Sequence, residues 1–87
     1  MYRVKPGLRL RRGPSGTFWA FNLESGEHFA VNETAFKVLE ALGREVGPDA
    51  IARELVAEYG VGRADAERDI TELFEACVGD GLVTREA

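Results

Sequence analysis

A chain of 87 residues has room for one domain, and at that size folding hides roughly 60 to 65% of the surface of the extended chain, which limits it to one modest core. Hydrophobic residues make up 45% and charged residues 30%, a composition that excludes a disordered chain. No apolar run approaches the roughly 18 residues that cross a bilayer, and Met1-Tyr2-Arg3-Val4-Lys5 lacks the apolar stretch of a signal peptide, so a soluble, cytoplasmic domain over 1–87 is expected.

The net charge of -4 is unevenly spread: residues 1–12 hold Arg3, Lys5, Arg9, Arg11 and Arg12 and no acid, leaving six basic residues against fifteen acids in the rest. Nucleic-acid affinity comes largely from cations that displace counterions, so a body this acidic repels phosphate backbones.

In chain order, Leu8–Arg12 alternates leucine and arginine as a half-buried strand does, and Gly13-Pro14-Ser15-Gly16 reads as a turn. Thr17–Leu23 is rich in aromatics and suits a second strand. Glu24-Ser25-Gly26 is a tight connection with glycine where positive φ is needed, which returns Glu27–Val31 antiparallel with Phe29 and Val31 facing the core. Asn32 caps a first helix over about 33–42, whose stripe is Ala35, Phe36, Leu39 and Leu42, with Gly43 as its left-handed stop. Pro48 and Asp49 open a second helix ending at Tyr59-Gly60, with Ile51, Leu55 and Tyr59 on its inner face. The third, roughly 63–78, carries Ala66, Ile70, Leu73 and Cys77 as a core stripe, with Phe74 and Val78 as a second apolar line that packing does not obviously require. Leu82-Val83-Thr84 is left as a short packed tail.

The expected fold is α+β: an N-terminal three-stranded antiparallel sheet followed by three helices, a winged helix-turn-helix arrangement. In that fold the third helix enters DNA, yet here it holds Arg63 and Arg68 against Asp65, Glu67, Asp69, Glu72 and Glu75. The charge argument keeps the fold and rejects nucleic acid as a partner.

Catalytic chemistry is looked for and not found. One histidine, His28, shares an outward strand face with Ala30, and one cysteine, Cys77, lies on a core stripe where free cysteine acts as a small hydrophobe. One histidine and one cysteine do not supply a zinc site, and no glycine-rich phosphate loop is present, so no enzyme, metal or cofactor is expected.

The run Asn22-Leu23-Glu24-Ser25-Gly26-Glu27-His28-Phe29-Ala30-Val31-Asn32-Glu33-Thr34-Ala35, followed by Ile51, Leu55, Tyr59, Asp69-Ile70, Leu73 and Gly81-Leu82-Val83, resembles the PqqD-like domains, the precursor-peptide recognition elements of ribosomal natural-product pathways. The resemblance spans about residues 5–84. It implies a domain that binds the leader segment of a precursor peptide as an added strand and presents it to a partner enzyme. Carried onto this chain, the docking edge is Glu27, His28, Phe29, Ala30 and Val31, and the groove wall is Glu67, Ile70, Thr71, Phe74 and Val78. A meander leaves one strand edge unpaired, which agrees with strand addition. Phe74 and Val78 then either line a leader pocket or merely finish the core. Glu27, Glu67 and Glu75 form an acidic rim suited to a leader bearing lysine or arginine.

A discrete domain of this kind is most similar to the leader-binding half of split lasso-peptide systems, whose separate leader peptidase is a cysteine protease. The alternatives are a pyrroloquinoline quinone peptide chaperone serving a radical enzyme and a winged-helix transcription regulator.

Overall fold

The structure is a computed structural model and describes residues 2–86. Three strands form where the alternation of leucine and arginine, the aromatic run and the segment after Gly26 place them: β2 (Leu8–Arg12), β3 (Phe18–Asn22) and β4 (His28–Val31), with a 3-10 turn at Pro14–Gly16. They make an antiparallel sheet in the order β2-β3-β4, with Arg9 opposite Phe21, Arg11 opposite Trp19, Trp19 opposite Ala30 and Phe21 opposite His28. Gly26 supplies the expected left-handed residue between β3 and β4, with φ +79. Three helices follow: α1 (Glu33–Gly43), α2 (Pro48–Tyr59) and α3 (Arg63–Gly79).

A second sheet was not foreseen. β1 (Tyr2–Val4) pairs antiparallel with β5 (Val83–Arg85), setting Tyr2 against Arg85 and Val4 against Val83. The segment expected to pack as a short tail is therefore a strand, and Lys5 N–H extends the ribbon with a bond to Leu82 C=O of 3.0 Å. The molecule is α+β, with three helices and two antiparallel sheets.

The core is built from one face of each element: Ala20, Leu39, Ile51, Ala52, Phe74, Leu82 and Val83 are all almost completely buried. Helix ends show what fixes the connections. Asn32 caps α1 as expected, its Oδ1 accepting from Ala35 N–H at 2.7 Å. The left-handed stop is not Gly43, which stays helical, but Glu45 at φ +63. Val46 N–H reaches back to Ala41 C=O at 3.1 Å, the six-to-one closure of a Schellman turn, and Val46 packs against the core. That apolar anchor outweighs the cost of a left-handed glutamate. α3 ends the same way on Gly81, with Leu82 N–H bonded to Cys77 C=O at 2.9 Å and Leu82 buried.

Tyr59 departs from its expected place in the core and is 42% exposed. Steps of four advance about 40° round a helix each time, so the third member of that line swings outward, and Ala52 fills the interior instead. Lys37 Nζ lies 5.9 Å from the Tyr59 ring centre.

Candidate functional site: an open strand edge

Among the described residues, β4 pairs with β3 on one side and with no strand on the other. Among the described residues, no loop or cap backbone bond reaches 28–31, and the C-terminal strand is engaged with β1 rather than β4. Asn22 N–H donates to Glu27 C=O at 2.9 Å, marking that pair as hydrogen-bonded. Bonded and non-bonded pairs alternate along an antiparallel ladder, so Ala20–Phe29 and Phe18–Val31 are the next bonded pairs. The N–H and C=O groups of His28 and Ala30 therefore point outward along the open edge.

The edge is held in place from below by Asn22, whose role the sequence reading did not single out. At 7% exposed, Asn22 is the one buried polar residue among the described residues. Nδ2 donates to Gly81 C=O at 3.0 Å, while Oδ1 accepts from Glu24 N–H at 2.9 Å and Ser25 N–H at 3.2 Å. One amide thus joins the turn that precedes β4 to the turn that ends α3. Gly81 fits this junction because its φ is +75 and a Cβ there would lie 3.0 Å from Asn22 Nδ2.

The ten residues named from sequence fall into two groups. Glu27, His28 and Ala30 are exposed, and Phe29 and Val31 are half-buried against the core. Glu67, Ile70, Thr71 and Phe74 line a depression of about 190 Å³ with Tyr2, Pro48 and Asp49. No β4 residue lines that depression, and neither does Val78, which is half-buried against the core. Phe74 is 0% exposed and packs tilted against Tyr2, with ring centres 5.1 Å apart, so its ring is spent on the core and forms the floor of the depression. Tyr2, Pro48 and Asp49 were missed because they come from the chain start and the opening of α2, which only folding brings beside α3.

The expected acidic rim is largely committed within the chain. Glu67 pairs with Arg63 at 2.7 Å, and Glu75 accepts from both Arg85 and the Tyr2 hydroxyl, while Glu27 has no ion pair among the described residues. The bond to Arg85 holds the Glu75 carboxyl below its usual pKa, and the bond to Glu75 pushes the Tyr2 hydroxyl up.

Nucleophilic chemistry finds no support in this geometry. Burial raises the Cys77 thiol to about 11, so it is protonated at neutral pH, and it lies in the core while His28 is on the outer face of the sheet. Among the described residues, no group of three or more His, Cys, Asp or Glu side chains is placed to hold a metal ion. No helix is long and apolar enough to cross a membrane.

These features define a small α+β domain with an open strand edge at β4. The chain belongs to the PqqD family: the family model described as coenzyme PQQ synthesis protein D matches residues 20–83. Among solved structures it is similar to "Lasso peptide synthetase B1 complexed with the leader peptide", at 28% identity and a TM-score of 0.85, covering 97% of this chain and 98% of that one. It is also similar in fold to "TbiB1 in Complex with the TbiA(beta) Leader Peptide", at 20% identity and a TM-score of 0.85, with 98% of each chain covered. No curated protein matches its sequence.

Proposed function

We propose that this domain binds the leader segment of a ribosomally made precursor peptide by strand addition to β4 and presents it to a separate leader peptidase of the cysteine protease type in lasso-peptide maturation. The observation that carries the reading is the open edge, where the outward backbone groups of His28 and Ala30 have no strand beside them among the described residues. An extended peptide satisfies such groups along its length, and its alternate side chains meet the half-buried Phe29 and Val31. The depression beside Glu67, Ile70 and Thr71 receives a further leader side chain, with Phe74 supporting it from beneath. The domain, 1–87, works as a non-catalytic cytoplasmic scaffold that keeps a winged helix-turn-helix arrangement without its nucleic-acid role. Likeness along the whole chain to a structure named as a lasso peptide synthetase B1 with its leader supports this choice.

A second reading, a pyrroloquinoline quinone peptide chaperone serving a radical enzyme, draws on the description of the family model. Titration of the labelled domain with the leader encoded beside it tests the leader binding that both readings require, and the enzyme that captures the loaded domain separates them. Saturable binding with protection of the His28 and Ala30 amides from exchange is expected. Binding that leaves those two amides unchanged overturns strand addition, and no binding at about tens of micromolar, some 6 to 7 kcal/mol, overturns leader recognition itself. Capture of the loaded domain by a radical enzyme rather than a peptidase moves the reading to the chaperone.

A further inference from the structure

We propose that the outer face of the β2-β3-β4 sheet is a second docking surface, which takes a carboxylate-bearing surface of the peptidase while the leader occupies the β4 edge. The inference rests on the leader-presentation reading and adds where the partner binds.

Side chains alternate across a strand, and Ala20 and Asn22 point into the interior, so Trp19 and Phe21 point out. The register then sets two rows across the outer face: Arg9, Phe21, His28 and Arg11, Trp19, Ala30. His28 lies 5.6 Å from the Trp19 ring and 5.7 Å from the Phe21 ring, which gathers three flat side chains at the centre. The core elements pack on the opposite face, where Phe18 meets Phe36 of α1 at 5.0 Å.

The charges of this face are unspent. Arg3, Lys37, Arg44, Arg63, Arg68 and Arg85 each pair with a carboxylate of the chain. Among the described residues, Arg9 and Arg11 do not: their guanidinium groups bond to backbone carbonyls of Pro6, Leu8 and Leu10. Two residues apart on one strand, they stand about 7 Å from each other, a fixed spacing for two carboxylates. Tryptophan and arginine together are the side chains that dominate binding energy at protein interfaces.

Aromatic rings among arginines on a sheet also suit single-stranded nucleic acid. Residues 13–87 carry fifteen acids against six bases, so a continuous polyanion meets repulsion just beyond the face. A protein surface with a few discrete carboxylates does not. Strand addition lies in the plane of the sheet, and this face is perpendicular to it, so both ligands fit at once.

The test measures affinity of the leader-loaded domain for the cysteine-type peptidase encoded with it, in the native protein and in the double variant Arg9→Glu, Arg11→Glu. Neither guanidinium bonds beyond its own segment, so the variant keeps the fold, which its unfolding midpoint checks. Peptidase affinity falls by about tenfold or more and weakens with salt in the native protein, while leader affinity holds within about twofold. Equal peptidase affinity in both proteins overturns the proposal, as does a parallel loss of leader affinity. So does a native self-association abolished by the variant, or tight binding of an oligo-deoxythymidine probe. Charge-dependent peptidase binding in a protein that ignores its leader keeps the face and removes the leader reading alone.

Discussion

The two sheets of this domain differ in how far apart their strands lie in sequence. β2, β3 and β4 are joined by short turns, whereas β1 and β5 bring together the two ends, with Tyr2 opposite Arg85. Local pairing is written in alternation and turn residues; pairing across the whole chain is decided by the packing that assembles first. The consequence reaches α3. Without β1, Phe74 looks like spare apolar surface on a helix; with it, the ring is sealed beneath Tyr2.

The sharpest way to break this comparison is Phe74→Ala. If the ring belongs to the core that the end-to-end ribbon completes, the loss is about 3–5 kcal/mol of folding stability in denaturant unfolding. Against a total of about 5–15 kcal/mol that change brings the domain close to unfolding. Phe74→Leu then separates core from site: it keeps the fold and, because the ring contributes only the floor of the depression, changes leader affinity little. A folded Phe74→Leu domain with strongly weakened leader binding would return the ring to the binding surface.

Much of the meander was legible because each step has a local cause. The Leu8/Arg9/Leu10/Arg11 alternation, Gly26 at positive φ and the Asn32 cap all sit where physical chemistry places them. The open edge followed from that local reading. Tyr2 and Val83 gave no comparable signal, since strands of three residues are too short to show alternation. The α1 stop was misplaced for a related reason: Val46 chooses the turn through a tertiary contact, and no rule about glycine foresees it. The candidate site divides along the same line, with its β4 half readable and its α3 half dependent on Tyr2, Pro48 and Asp49.

Asn22 is where the locally encoded region meets the rest, and its replacement gives the next largest effect. Asn22→Ala removes the partner of Gly81 C=O and of the Glu24 and Ser25 N–H groups. Groups left wanting partners in a largely buried place cost about 1–3 kcal/mol, read by the same unfolding measurement. Because the amide also positions the turn before β4, leader affinity falls in the folded fraction. An unaltered midpoint would mean that meander and α3 are held together by apolar packing alone.

The smallest effect distinguishes the sheets by pH. In the ribbon, Glu75 of α3 accepts from Arg85 of β5 and Tyr2 of β1, which lowers the carboxyl pKa and raises that of the phenol. A lowered acid stabilises the folded state above its unfolded pKa, and that contribution disappears as pH falls through the folded value. A raised phenol works the other way, stabilising below its unfolded pKa and failing as pH climbs through the folded one. The clamp therefore holds from neutral pH outward and loosens at both extremes, first in β1 and β5. Glu75 and Arg85 are exposed and Tyr2 is only half-buried, so solvent screening keeps the effect small. Amide shifts of Tyr2–Val4 and Val83–Arg85 followed across acid pH should move with a midpoint below the ordinary carboxylate range, while those of Leu8–Arg12 stay put. In Glu75→Gln the acid-side movement vanishes; if it persists, another group opens the ribbon and the clamp is not what joins the two ends.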